Sequence, residues 1–177
     1  MATNTIDERL AEAGRRIGQL KAGAEGIPSA ASPRTRRRLE ALQYEVTSVR
    51  GAASESPDEF EARLGQLRTR IDVAERSMAA DVSDSREQFT AAVEAELSGW
   101  DTYLERLQTT VAITAWKARE QAETAIRELR RRRIAVDERL TQAREAAGST
   151  WKEQRECVAA ARDELEQKAD ERSAQLS

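Results

Sequence analysis

The sequence predicts an all-α protein whose long amphipathic helices pack as an antiparallel coiled coil or an elongated helical bundle. Three observations lead to this fold class. The 177 residues include 31 Ala, 34% of them are charged, and there are only eight Gly and three Pro. Ala is the best helix former, and Glu, Arg, Gln and Leu follow it closely, whereas a protein made of strands needs a turn signal about every 8–12 residues. The composition therefore favours long helices joined by narrow, Ala-rich seams.

Heptad patterns divide residues 1–56 into two short N-terminal helices. Apolar residues follow one another in alternating steps of four and three from Ile6 to Ile27, and Pro28 ends this series. A second series begins after Ser32 and Pro33, a pair that is typical of a helix start. The seam residues predicted for these two helices are Ile6, Leu10, Ile17, Leu20, Leu39, Leu42 and Val46.

Residues 57–147 are predicted to form one long central helix or a broken helix, since no Pro follows Pro57. Heptads come first, and a repeat of 11 residues then runs from Phe89 to Arg133. Such a repeat corresponds to about 3.67 residues per turn and predicts a nearly straight helix. Breaks at 83–85 and 98–99 are weaker alternatives to continuity. The predicted seam residues are Phe60, Leu64, Leu67, Ile71, Phe89, Trp100, Leu104, Leu107, Val111, Leu129, Val136 and Leu140.

Residues 148–177 are predicted to form a C-terminal helix. Gly148 suits the end of the preceding helix, and Thr150 with Glu153 matches a capping box, in which a hydroxyl and a carboxylate satisfy free backbone amides. This site is the strongest candidate for a sharp turn in the second half of the chain.

Composition excludes most catalytic and metal-binding chemistries. The chain has no His and a single Cys, Cys157, which excludes a Ser-His-Asp triad, every His-containing metal site, an all-Cys zinc site and an internal disulfide. Paired carboxylates such as Asp163 and Glu164 fall on faces that the seam leaves exposed. We therefore predict a protein that is not an enzyme, with no catalytic, cofactor-binding or metal-binding residues and no small-molecule substrate.

Net charge and hydropathy bear on partners and location. A net charge of −3 argues against nucleic acid, since domains that bind it are usually strongly basic. The chain has no run of 18 apolar residues for a membrane-spanning helix and no basic-then-apolar start like that of a signal peptide. We expect a cytoplasmic protein.

Two arginine clusters are candidate contacts for anions. Arg130–Arg133 are four consecutive residues that point about 100° apart on a helix, so an ion-paired, solvated face is the favoured interpretation. Arg34, Arg36, Arg37 and Arg38 lie at a helix N-terminus, where positive charge is unfavourable. An acidic partner segment or a membrane surface would resolve this conflict, and a solvated helix start is the alternative.

The three Trp residues are the other conspicuous side chains. Trp100 falls on the seam, while Trp116 and Trp151 lie beside seam positions. They could stack on a ligand or lie at a membrane interface, but filling wide places between Ala-rich helices is the favoured interpretation.

Part of the chain is similar to a known family. The Ala-, Glu- and Arg-rich stretch 115–147, followed by Gly148, Trp151, Val158 and Leu165, resembles bacterial coiled-coil stress-response proteins with apolipoprotein-like helical repeats. The resemblance covers roughly residues 104–168. It implies a helical protein without catalysis and supplies no site residues. Gln154 departs from the family pattern, as does Arg in place of most of the expected Lys.

The sequence thus predicts a non-enzymatic coiled-coil scaffold or interaction protein that acts by helix–helix self-association or partner binding, and the family resemblance implies an association with stress. The expected partner is a second copy of the chain or another helical protein, since narrow seams bury little in a monomer. The alternative is peripheral binding to a membrane surface by amphipathic helices.

Overall fold

The fold is an all-α helical bundle, as predicted. A computed structural model describes residues 2–27, 32–54, 56–111, 116–148 and 150–175 and shows six α-helices and no strand among them. The side chains of residues 2–5, 32, 116–118 and 173–175 are not among those described. The helices are α1 (Ala2–Gly23), α2 (Ser32–Ala52), α3 (Pro57–Asp81), α4 (Arg86–Val111), α5 (Trp116–Glu145) and α6 (Thr150–Gln175), and a short 3-10 helix (Ala24–Gly26) follows α1.

Successive helices run antiparallel. On α5 and α6, Arg132 binds Glu164, while Arg172 near the end of α6 donates to the carbonyl of Ala122 near the start of α5. The most extensive helix–helix contacts join α3 to α4 and α5 to α6. The helices α1, α3 and α5 therefore point one way, and α2, α4 and α6 point the other way.

Local sequence explains several helix ends. The hydroxyl of Ser56 accepts a hydrogen bond from the amide of Glu59, and Pro57 occupies the first turn of α3. Ser85 accepts in the same manner from the amide of Gln88 at the start of α4. Gly148, between α5 and α6, has a φ of 54°, a conformation that glycine adopts without steric cost.

Residues 57–147 form three helices rather than one. The chain turns at 82–85, a break that the sequence analysis ranked below continuity, and α4 and α5 are two separate helices, between which residues 112–115 lie outside the described part. Of the two predicted alternatives, a long helix or a broken helix, the structure therefore shows the broken one; the straight continuous helix that the 11-residue repeat favoured is not found, because Phe89 and Trp100 lie on α4 whereas Ala122 and Arg133 lie on α5. The spacing of apolar residues indicates which side chains face inward. This spacing is the same whether the helix continues or the chain reverses, so it does not show where a helix ends.

Gly99 lies inside α4, and its role is close packing. A Cβ atom at this position would lie 2.9 Å from Cγ2 of Val73 and 3.0 Å from a guanidinium nitrogen of Arg76 on α3. The continuity of the helix through this glycine agrees with the sequence analysis. The missing side chain allows α3 and α4 to approach each other.

Two apolar cores lie on opposite sides of α3. One core joins α1 and α2 to the face of α3 that carries Leu64 and Ile71. The other joins α4, α5 and α6 to Val73 and Ala80 on the opposite face of α3. All the predicted seam residues belong to these cores; Ile6 and Val46 are partly buried and the others are buried.

Candidate functional site

The arginines at the start of α2 meet acidic residues of α6. Arg38 is buried and binds Glu166 through two hydrogen bonds, Nε to Oε1 at 2.7 Å and Nη2 to Oε2 at 2.9 Å. Arg37 donates to Asp163 at 2.7 Å. The acidic segment that balances these two charges is therefore part of the same chain. Arg34 is half-buried and Arg36 is exposed, and neither forms an ion pair with another described residue.

Arg38 belongs to a larger buried cluster, which we call the ionic layer. It lies where α2, α3, α4 and α6 meet, between the two apolar cores. Its members are linked by ion pairs between buried or mostly buried side chains. They are Arg38 and Glu45 on α2, Arg70 and Asp81 on α3, Glu96 on α4, and Arg162, Glu166 and Asp170 on α6.

Arg162 joins three helices within the ionic layer. Its Nε donates to Glu96 at 2.7 Å and its Nη1 to Asp81 at 3.1 Å. Its Nη2 donates to the carbonyl and the hydroxyl of Ser77 at 2.9 and 2.7 Å. The side chains of Arg162, Asp81 and Glu96 are each 3–4% exposed. This one guanidinium therefore satisfies polar groups from α3 and α4 that water cannot reach.

Arg70 occupies the other end of the ionic layer. Its guanidinium lies over the rings of Trp100 and Tyr103, 5.1 and 5.6 Å from their centroids. It donates to Asp170 and lies 3.4 Å from a carboxylate oxygen of Glu45. Its Nη1 has no hydrogen-bond partner among the described residues. One buried cation thus serves two carboxylates, one on α2 and one on α6.

Four members of the ionic layer, Arg38, Arg70, Arg162 and Glu166, have pKa shifts that favour their charged forms. Burial opposes the charge of Glu166, but the charge and hydrogen bonds of Arg38 outweigh it, and the pKa of Glu166 is lowered. Burial likewise opposes the charge of Arg162, but Glu96 and Asp81 outweigh it and raise its pKa. Asp170 behaves differently, because burial is the dominant effect and raises its pKa to about 6.

Sequence reasoning did not identify this cluster. Arg162, Glu166 and Asp170 follow one another at intervals of four residues on one face of α6, which is also the pattern of a solvated face with ion pairs along the helix. A charge pattern shows that opposite charges can pair, but it does not show whether a second helix covers them. Nothing in the sequence therefore distinguished this face from an exposed one.

The second arginine run forms the ion-paired face that the sequence favoured. Arg131 and Arg132 bind Glu128, and Arg133 binds Asp101 on α4 at 2.9 Å. Arg133, which falls on the predicted seam, thus binds a carboxylate of the neighbouring helix α4.

The Trp residues that are described pack inside the protein. Trp100 is buried. Trp151 is partly buried and meets Phe89 edge-on, with 5.6 Å between the ring centroids. The side chain of Trp116 lies outside the described residues.

A solvent-facing stripe of α5, which we call the α5 outer face, carries an exposed apolar residue among charges. Ile134 is 53% exposed, and Arg127, Arg130, Arg131 and Glu138 are exposed around it. Arg127 and Arg130 donate to Thr124 and Gln108 rather than to carboxylates. This surface can accept a partner that offers carboxylates around an apolar contact.

An apolar groove of about 410 Å³ lies between α1 and α3. Leu20, Ile27 and Met78 line it, together with Val82. Its charged lining residues, Arg16 and Glu75, are already bound to each other at 2.8 Å. The groove therefore brings no unpaired charged groups together for chemistry, and the described part of the chain contains no group of three or more Cys, Asp or Glu that could hold a metal ion.

Comparisons with known proteins found no match among family models, curated proteins or solved structures. In the described residues, no helix combines the length and the apolar character needed to cross a membrane.

Proposed function

We propose that the protein is a self-associating helical scaffold that has no catalytic chemistry of its own and joins copies of itself through the α5 outer face. The observation that carries this proposal is the exposure of Ile134 midway between an exposed arginine and an exposed carboxylate. Arg131 lies three residues before Ile134 and Glu138 four residues after it, so all three share one face of the helix. A role in stress response stays a prediction that rests on the family resemblance.

The order of these residues makes the face complementary to itself. If two copies of α5 cross antiparallel on a two-fold axis through Ile134, each Arg131 lies opposite the partner's Glu138. Both copies contribute the same residues to such a contact, as in most homodimers. The two isoleucines meet at the centre, and two ion pairs flank them.

A contact formed by two isoleucines and two ion pairs is small, so we expect it to be weak and sensitive to salt. Interfaces below about 1,200 Å² are typical of transient association, and exposed ion pairs weaken as salt screens them. Self-association should therefore depend on both protein concentration and ionic strength.

Membrane binding is the alternative, and the distribution of apolar residues favours a protein partner. A helix that lies on lipid needs a broad apolar face. The apolar faces of the described helices point into the two cores, and the large apolar residues left exposed are Tyr44, Val82 and Ile134. One isoleucine within a charged stripe suits a second helix better than a bilayer.

Light scattering after size exclusion tests the proposal. We expect a mass above the 19.7 kDa of the monomer at high protein concentration, falling towards it as salt rises from about 50 to about 500 mM. Arg131→Glu should favour the monomer, because it places two carboxylates opposite each other. The double variant R131E/E138R should restore association. Arg36→Glu is the matched control, since it reverses an exposed arginine on α2 and should change nothing.

Cross-linking tests the geometry directly. In a Cys157→Ser background, Ile134→Cys should form an intermolecular disulfide on mild oxidation, because Cα atoms on the axis come within the roughly 4.4–6.8 Å that a disulfide spans. Glu145→Cys, which lies 11 residues further along α5, should not. A monomeric mass at every concentration would overturn the proposal, and flotation with anionic vesicles at physiological salt would favour the membrane alternative.

A further inference from the structure

The apolar groove between α1 and α3 has the size and lining of a ligand site. Its volume of about 410 Å³ falls within the roughly 300–1,000 Å³ of small-molecule sites, which are mostly apolar and carry a few polar groups. Leu20, Ile27 and Met78 are buried along the groove, whereas Val82 is 47% exposed. Ala79, which also lines it, is exposed. The groove is therefore open to solvent, and an apolar ligand can enter it without displacing a helix.

The groove has a charged end and an apolar end. The helices α1 and α3 point the same way, and Arg16 binds Glu75 at one end of the groove. Ile27 and Val82 line the other end. Val82 lies seven residues after Glu75, which corresponds to about 10 Å at about 1.5 Å per residue. An extended octyl chain has a similar length, so the groove suits a ligand with one polar end and a short alkyl chain.

The charged end contains more carboxylates than arginines. Arg16 donates to Asp72 at 2.6 Å and to Glu75 at 2.8 Å. One arginine and two carboxylates give this end a net charge of −1. The side chains of Asp72 and Glu75 are 46% and 44% exposed, so their oxygens can accept further hydrogen bonds. An ammonium group has donors and no acceptor, and it matches this end, whereas a ligand carboxylate would be repelled.

We propose that the groove binds a cationic amphiphile, that is, an ammonium group attached to an alkyl chain. The ammonium lies beside Asp72 and Glu75, and the chain runs past Met78 towards Val82. Arg16 positions the two carboxylates. Because no residue of α5 lines the groove, this binding is independent of self-association through the α5 outer face.

Methyl NMR of the whole chain tests the proposal with octylammonium as the probe. The chain has two methionines, Met1 and Met78, so labelling the methionine methyl groups with ¹³C gives two signals. The methyl carbon of Met78 lies 3.9 Å from the place that a Cβ atom on Gly23 would take, and both residues line the groove. We expect the Met78 signal to shift and saturate, with the Met1 signal as the reference.

Two further probes separate the headgroup from the chain. Octanoate has a chain of similar length with the opposite charge, and it should bind at least about fivefold more weakly, since it exchanges attraction for repulsion at an exposed charged site. Butylammonium keeps the charge and shortens the chain. It should bind at least about tenfold more weakly, because each methylene that is fully removed from water tightens binding about fourfold.

Glu75→Gln tests the charged end. It should weaken octylammonium binding about two- to fivefold, as for the loss of one exposed ion pair, and should not weaken octanoate binding. A variant that merely lost structure would weaken both. Glu61→Gln is the matched control, because Glu61 also joins α3 to an arginine of α1 but lies 14 residues before Glu75. E61Q should keep the preference of the wild type for the ammonium.

Gly23→Leu tests the apolar part of the groove. A Cβ atom at Gly23 meets Met78 at an ordinary contact distance, so the leucine can fill the groove without moving a helix. It should weaken the binding of octylammonium and octanoate alike, at least about fivefold. Gly14→Leu is the matched control, since Gly14 is exposed on the same helix, has open space around its Cβ position and does not line the groove.

The proposal makes several demands that can fail separately. It would be overturned by the absence of a saturable Met78 shift, by octanoate binding as tight as that of octylammonium, or by unchanged binding in G23L. An unchanged ammonium preference in E75Q, or a loss of binding in E61Q or G14L, would also contradict it. A Met78 signal that moves with protein concentration alone would place a second copy of the chain in the groove instead.

Discussion

Methionine in place of Arg162 is expected to lower the free energy of unfolding by about 3–5 kcal/mol, the range seen when one partner of a buried ion pair is removed. Arg162 is the only residue that binds both Asp81 and Glu96 among those described, and both carboxylates are almost fully buried. Methionine fills much of the same space but leaves Glu96 without its ion-pair partner and leaves Asp81 with only the longer ion pair to Arg38 at 3.4 Å. Urea unfolding followed by circular dichroism measures the change.

The control for this prediction is Arg139→Met. Arg139 is an exposed arginine of α5 that binds Gln142, and surface substitutions usually change stability by less than about 0.5 kcal/mol. A loss below about 1 kcal/mol for R162M would contradict the buried position of the ionic layer, because it is the value expected of a hydrated surface ion pair.

Leu129→Ala is the second substitution with a large expected effect. Leu129 is fully buried in the core formed by α4, α5 and α6. Its truncation removes apolar contacts and leaves a cavity, which costs about 2–5 kcal/mol in well-packed proteins. Thermal and urea unfolding of the variant should both show this loss.

Ile134→Ala is the matched comparison on the same helix. Ile134 is of similar size but 53% exposed, so its truncation should leave the stability of the monomer nearly unchanged. Equal losses of stability for L129A and I134A would show that, in solution, α5 does not bury Leu129 while exposing Ile134. The same I134A variant should weaken self-association, which separates its effect on binding from its effect on folding.

The apolar pattern was sufficient to predict the fold class and the inward faces of the helices. Residues such as Leu10, Leu64 and Leu140 recur at helical spacing and are buried as expected. The starts of α2 and α3 at Ser32 and Pro57 could also be read from their sequence signals. These features depend on a few neighbouring residues, and local sequence contains that information.

The turns within 57–147 and the ionic layer depend on distant residues. In sequence, Gly99 is typical of a helix break. In the structure, it allows Val73 of the neighbouring helix to pack closely against α4. Arg38 and Glu166 are 128 residues apart, and each alone has the pattern of an exposed charge. Only the packing of α2 against α6 removes them from water, and this packing follows from the whole topology rather than from either segment.

The position of α3 between the two cores has a consequence for cooperativity. Phe60, Leu64 and Ile71 on one face and Val73 and Ala80 on the other belong to different cores, but one helix backbone carries them all. Neither half of the chain can melt and leave α3 fully covered. We expect α1–α2 and α4–α6 to unfold together in one transition. A destabilising substitution in either core should therefore lower the stability of the whole protein.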